Sequence, residues 1–177
     1  MKQYKFAVSS PLGSIALSAC DEGLTGLWFE GQKYFGAAIA DGAESGYLPV
    51  FDEARRWLDE YFAGHKPGFT PLLAPQGSGF RLAVWRILLT IPYGGVITYG
   101  DIARRLGEER GTPVSAQAVG GAVGHNPISI IIPCHRVVGA GGSLTGYAGG
   151  IDRKLKLLRL EGADTDRLFV PKHSTAP

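Results

Sequence analysis

The chain has 177 residues, 45% of them hydrophobic, and a net charge of +2, enough for one large or two small domains with a sizeable core. Two cysteines, Cys20 and Cys134, exclude a disulfide framework and a zinc-ligand set, and no apolar run is long enough to cross a membrane. The charge is uneven: residues 1–79 carry 6 Lys/Arg against 9 Asp/Glu, whereas residues 80–161 carry 10 against 5, which fits a polyanion bound by the second half.

The opening is β-like. Tyr4, Phe6 and Val8 alternate, Pro11-Leu12-Gly13 turns the chain, and Ile15, Leu17 and Ala19 alternate again. Leu17-Ser18-Ala19-Cys20 has the look of a lipoprotein cleavage box, but Ser9, Ser10, Pro11, Gly13 and Ser14 interrupt the apolar core a signal peptide needs, so a strand is the better reading. Asp21-Glu22-Gly23 makes a second turn and Leu24 to Phe29 a third strand, giving an antiparallel β-meander. Ala54, Trp57, Leu58 and Tyr61 follow helical spacing, with Asp52 as candidate N-cap, and Gly64 and Pro67 end that helix. The Pro- and Gly-rich stretch 64–79 reads as a linker, which divides the chain into an N-terminal α/β domain over 1–75 and a second domain over 80–165.

The second domain is mainly helical. Phe80, Val84, Ile87, Leu88 and Ile91 give a core-facing helix closed before Pro92. Thr98 and Asp101 form a capping-box pattern that opens a short helix through Leu106, and Thr112-Pro113 supplies an N-cap and first-turn proline for another, to about Gly124. Two short helices joined by a Gly-containing turn are the pattern of a helix-turn-helix. The second of them is nearly free of side-chain bulk: Ala116, Ala118, Gly120, Gly121, Ala122 and Gly124, with no charge over 112–124. Each glycine costs about 0.8–1.0 kcal/mol relative to alanine, so close helix packing or close approach to a partner must offset it.

Ile128-Ser129-Ile130-Ile131-Ile132 reads as a buried strand that stops at Pro133. Cys134, His135 and Arg136 follow at once. A thiol at the end of a rigid buried strand, among basic groups that favour the thiolate, is placed like a nucleophile; by type and spacing alone a buried structural cysteine beside an unrelated histidine remains open. Glycines between Gly139 and Gly150 describe a mobile loop centred on Tyr147, a candidate lid or pocket wall. A last helix spans about Asp152 to Leu160, with Ile151, Leu155 and Leu158 on one face. Glu161 stands at its C-terminal end, where a carboxylate is unfavourable and calls for a partner such as His135. Residues 170–177 read as a disordered tail.

Pro133-Cys134-His135-Arg136-Val137 resembles the active-site motif of the O6-alkylguanine-DNA alkyltransferases, the methylated-DNA–protein-cysteine methyltransferase family. The stretch Ala118 to Pro127 is similar to that family's DNA-reading helix and asparagine hinge, and Gly146-Tyr147-Ala148-Gly149-Gly150 and Leu160-Glu161-Gly162 match in the same order. The resemblance covers about Phe80 to Gly162 and implies an α/β chain: a ribonuclease H-like N-terminal domain and a winged helix-turn-helix domain that repairs duplex DNA. It implies Cys134 as the nucleophile that takes the alkyl group from O6-alkylguanine, and from O4-alkylthymine, once per molecule. His135 would accept the thiol proton through a water and Glu161 orient it; Tyr99 would donate to the departing base, and Asn126 would tie the helix-turn-helix to the Cys134 segment. Val123, Val137, Tyr147 and Ala148 would line the base pocket. Gln117, Ala118, Gly120, Gly121 and Arg136 would meet the minor groove around a nucleotide rotated out of the stack. The family wedges an arginine into the vacated space, where this chain has Gln117.

No cofactor is expected, because the damaged DNA is itself the alkyl donor. No structural zinc is expected either, since Cys20 and His65 are the N-terminal half's soft ligands. The remaining expectations are a monomer in the cytoplasm with alkylated double-stranded DNA as partner and no membrane. Three other readings differ in what they require. Alkyltransferase-like proteins lack the active cysteine, which Cys134 retains. A regulator built on this fold is expected to carry a metal-binding cysteine cluster. A thiol hydrolase using Cys134 and His135 would turn over many times.

Overall fold

The computed structural model describes residues 2–36, 39 and 43–172 and divides into two compact units, Met1–Gln76 with Pro127–Ile131, and Gly77–Asn126 with Ile132–Pro177. The segment 127–131 thus belongs with the first unit, although it lies inside the stretch read as the second domain. Of the tail read over 170–177, residues 173–177 lie outside the described residues.

In the first unit β1 (Tyr4–Val8), β2 (Ile15–Cys20) and β3 (Gly23–Phe29) form the antiparallel meander, and a short β4 (Glu44–Ser45) runs parallel to β1, giving the order β3-β2-β1-β4. Both hairpins turn on glycine in the left-handed region, Gly13 at φ 115° and Gly23 at φ 135°. Helix α1 (Pro49–Phe62) lays Phe51, Ala54, Trp57, Leu58 and Tyr61 toward the core, packed on β2 and β3. It begins at Leu48 with Pro49 in the first turn rather than at Asp52: the pre-organised proline ring starts the helix earlier, and Asp52 sits inside the first turn. The outer edge of β3 is closed by two later segments. Leu24 donates to Leu72 O and receives from Ala74 N, both at 2.8 Å, while Leu27 donates to Pro127 O at 2.8 Å and receives from Ser129 N at 2.9 Å. The stretch read as a linker therefore supplies edge pairing, because a buried strand edge must have its N–H and C=O groups met.

The run 128–132 is not the strand its composition indicates. Ile128, Ile130, Ile131 and Ile132 are buried, but only Ile128 bridges a strand, at Leu27. The chain then turns, with Ile130 at φ 69°, a left-handed conformation that a β-branched residue rarely adopts. Continuous hydrophobicity reports burial, and burial alone does not distinguish a strand from a packed turn.

The second unit holds α2 (Gly79–Leu88), α3 (Tyr99–Arg110), α4 (Ala116–Gly124) and α5 (Ile151–Leu160), with a two-stranded parallel pair β5 (Ile97–Thr98) and β6 (Val137–Val138). Ser78 caps α2, and Thr98 and Asp101 form a full capping box on α3, which runs past Leu106 to Arg110 and ends on Gly111 in the left-handed region. Helix α4 starts at Ser115, whose hydroxyl accepts from Ala118 N at 3.1 Å, not at Thr112. Pro113 holds Thr112 outside the helix and leaves Ser115 as the first side chain able to cap it. Trp85 of α2 donates its indole N–H to Ala122 O at 2.9 Å and pins α4 from its buried side.

Within β3, Gly26 is required by its neighbour: a Cβ there would stand 1.8 Å from the indole of Trp28, itself 1% exposed. Gly26→Ala is expected to cost about 1–3 kcal/mol through overpacking, read as a lower urea midpoint; an unchanged midpoint would show that the indole can move aside.

Candidate active site

The strand pair β5–β6 organises the site. Ile97 pairs with Val137 and Thr98 with Val138, so Tyr99, the first residue of α3, stands beside the segment that leaves Cys134. Cys134, His135 and Arg136 occupy a single 3-10 turn after Pro133, which directs consecutive side chains to different partners. All three are buried.

Glu161 ties this turn to the end of α5. Its Oε1 lies 2.6 Å from His135 Nε2 and accepts from Arg136 Nη2 at 3.0 Å; its Oε2 accepts from Arg136 Nε at 2.8 Å and from Gly94 N at 3.0 Å. Gly94 is at φ 77°, and a Cβ there would stand 2.9 Å from Glu161 O, so the approach requires glycine. Burial alone would raise the carboxyl pKa, but the hydrogen bond of His135 and the bonds and charge of Arg136 outweigh it and hold Glu161 down at about 2. Burial dominates at His135 and lowers its pKa despite Glu161, so the ring is neutral in the resting protein. Beside a neutral ring, the Arg136 charge and the hydrogen bonds from His135, Arg136 and Gly94 favour the ionised Glu161. With Nε2–H directed at the carboxylate, the basic nitrogen of His135 is Nδ1.

The Cys134 thiol accepts from Asn126 Nδ2 at 3.1 Å, and the same amide donates to Ile132 O at 2.8 Å. Asn126 thereby joins the end of α4 to the Cys134 turn. Burial pushes the thiol pKa up, opposed by the Asn126 bond and the charge of Lys154. The flanking basic residues are not what favours the thiolate: His135 is neutral and Arg136 is spent on Glu161.

Arg136, read from sequence as a DNA contact, is corrected by its placement. It is 8% exposed, with its guanidinium bound to Glu161 and to Ile91 O at 2.7 Å and set over the ring of Tyr93. A permanently charged fork beside a buried carboxylate is held there by the cost of separating them. Tyr99 donates to Thr145 O at 3.1 Å, and burial raises its phenol pKa strongly. Tyr147 is buried, edge-on to His135 at 6.5 Å, with a hydroxyl that meets no hydrogen-bond partner among the described residues. Its loop is held by Gly139 N to Ser143 O at 2.7 Å and Leu144 N to Phe169 O at 2.8 Å. Val123 and Val137 are buried, Ala148 is half-buried, Gln117 and Ala118 are exposed on the first turn of α4, and Gly120 and Gly121 are half-buried.

Sequence reasoning missed Gly94 and Lys154. Lys154 is 0% exposed, and its Nζ donates to Val137 O at 2.5 Å and Thr145 O at 2.8 Å. Its spacing to Leu157 and Leu158 places it on the buried face of α5, a signal that a solitary lysine among apolar residues easily conceals.

A buried thiol held by an amide, an ionised carboxylate behind a neutral imidazole, and paired helices beside them define a cysteine-dependent group-transfer protein on a helix-turn-helix scaffold. Two family models match, the 6-O-methylguanine DNA methyltransferase ribonuclease-like domain over residues 3–73 and the DNA binding domain of the same enzyme over residues 79–163. The chain is 45% identical to a methylated-DNA–protein-cysteine methyltransferase of Methanosarcina acetivorans over 90% of this chain and 99% of that one. It is also 45% identical to one of Mycolicibacterium paratuberculosis over 91% and 93%. Mycobacterium tuberculosis OGT, solved in complex with DNA, superposes with a TM-score of 0.76 at 42% identity over 89% of this chain and 92% of that one. The chain belongs to the 6-O-methylguanine DNA methyltransferase family.

Because the pKa of Glu161 is depressed, its stabilisation is complete above the unfolded value near 4.5 and is lost as pH falls toward about 2. Glu161→Gln is expected to unfold more readily than the parent protein at pH 7, by on the order of 3 kcal/mol. The gap should narrow between pH 5 and pH 2. Urea unfolding across that range checks this; a gap independent of pH would remove the ionised carboxylate from the account.

Proposed function

We propose that this chain repairs alkylated duplex DNA by moving the alkyl group from O6 of guanine, and from O4 of thymine, onto Cys134. His135 Nδ1 takes the thiol proton, through a water, as the base arrives. The sulfur then attacks the alkyl carbon, the carbon–oxygen bond breaks with its electron pair going to the base, and Tyr99 gives the departing base a hydrogen bond or proton. Glu161 stabilises the imidazolium that forms. A resting thiol that is protonated and buried fits a nucleophile activated only when its substrate is present. The product is a thioether that no neighbouring group removes, so each molecule acts once and needs no cofactor. Val123, Val137, Tyr147 and Ala148 wall the base pocket.

The observation that carries the DNA assignment is the bareness of α4. A Cβ added at Gly121 or Gly124 meets nothing within 4 Å, and one at Gly120 comes no nearer than 3.9 Å to the ring of Tyr99. Packing inside the protein does not require these glycines, although each costs the helix about 0.8–1.0 kcal/mol. A surface outside the chain explains them, and a minor groove that must be approached closely fits. Gln117 and Ala118 stand exposed at the start of that helix, where Gln117 fills the space left by the flipped nucleotide without adding a cation. We assign binding and transfer to residues 80–165, acting as a monomer. A cytoplasmic setting suits a free thiol nucleophile, and no helix among the described residues is long and apolar enough to cross a membrane.

Incubation with methylated duplex is expected to add one methyl group per molecule, on Cys134, with none on Cys20. Intact-mass and peptide mass spectrometry read this, and repeated turnover or label elsewhere would defeat the assignment. Gly121→Ala is expected to raise stability by about 0.8–1.0 kcal/mol yet weaken duplex binding by about tenfold. Thermal melts and fluorescence anisotropy separate the two effects, and undiminished affinity would take α4 out of the interface.

A further inference from the structure

Lys154 is expensive where it stands. It is fully buried in the first turn of α5, where the helix dipole disfavours a cation, and it makes no ion pair among the described residues. Burial pulls its pKa from 10.5 down to about 8, opposed by Cys134. A methionine would fill the same space without that cost. What the ammonium does is join two carbonyls. Val137 O follows directly on the turn that carries Cys134, and Thr145 O lies two residues before Tyr147. The Thr145 carbonyl is shared, for it also accepts the Tyr99 hydroxyl at 3.1 Å. Three segments thus meet through one cation: the start of α3, the exit from the Cys134 turn, and the loop that carries Tyr147.

We propose that Lys154 is a positioning residue for alkyl transfer, clamping the Thr145 carbonyl to the Val137 carbonyl and so fixing where the Tyr99 hydroxyl waits for the base. One carbonyl serving two donors holds each less firmly than it would hold one. The phenol proton is therefore kept in place but released readily when the base offers a better acceptor. The inference rests on the reading of Tyr99 as donor to the departing base.

The test is a double-mutant cycle on the full chain, with Lys154→Met, Tyr99→Phe and both together, read as single-turnover methyl transfer at saturating methylated duplex. Each single substitution is expected to slow transfer by about tenfold or more. Because Lys154 acts through Tyr99, the double variant should be no more than about threefold slower than the slower single one. Duplex affinity should stay within about twofold. Loss of the Lys154 charge raises the thiol pKa, so iodoacetamide alkylation of Cys134 should slow, but by no more than about threefold against about tenfold or more for transfer. A double variant whose losses multiply overturns the clamp while leaving Tyr99 in the mechanism. An iodoacetamide rate that falls in parallel with transfer also overturns it, because Lys154 would then act as counter-charge to the thiolate. A silent Tyr99→Phe overturns both the reading of Tyr99 and the clamp built on it. If thermal melting shows Lys154→Met unfolded, Lys154→Gln, whose shorter side chain ends in a neutral donor, enters the same cycle; it is expected to slow transfer by a smaller factor, and losses that multiply with Tyr99→Phe again overturn the clamp.

Discussion

The site depends on one buried negative charge. A carboxylate with no exposed side-chain surface is tolerable only if every lone pair is met and its charge is balanced, and Glu161 satisfies both with His135, Arg136 and Gly94. Each partner is fixed in turn. Arg136 cannot leave without stranding Glu161, so it is drawn inward and also binds Ile91 O. Gly94 must be glycine for the turn before β5 to come so close. His135 is held in one tautomer, which puts its basic nitrogen on the other side of the ring. Part of the protein's stability is thereby committed to fixing that tautomer.

The same economy runs through α4. Its glycines forgo helix propensity, and its buried face is secured by Trp85 and by the Asn126 bonds at its end. Asn126 directly follows His125, the C-cap of α4, and donates to the Cys134 sulfur. On the proposed reading, the helix that meets DNA and the sulfur that reacts are one side chain apart, which gives docking and chemistry a shared rigid reference. The strand pair β5–β6 does the same for Tyr99, because parallel pairing at Val137 and Val138 sets the start of α3 beside the exit of the Cys134 turn.

Burial also explains why the nucleophile is quiet at rest. The thiol is protonated, the imidazole neutral, and the phenol far from giving up its proton. These states follow from low solvation, and on the proposed reading the arrival of a polar base changes solvation for all three together. A protein that reacts once gains from such restraint, since a thiolate exposed between encounters would be consumed by other electrophiles.

Much of this was legible in the sequence. The meander followed from period-two alternation, α2 and α5 from apolar spacing, and the capping box of Thr98 and Asp101 from residue type alone. Glu161 stood out because a carboxylate at a helix C-terminus needs a partner. The ordered motifs around Cys134 carried the family. Tertiary structure decided what depends on direction in space. An isoleucine run announced burial, but whether the chain extends or turns there is set by Ile130 at positive φ. Arg136 looked like a surface cation until the Glu161 carboxylate claimed it, and Lys154 looked like any helix lysine until two carbonyls closed over its ammonium. Sequence spacing gives the face of an element and the chemistry of its side chains. The partner that makes a buried charge tolerable comes from another part of the chain, and only the folded backbone brings the two within bonding distance.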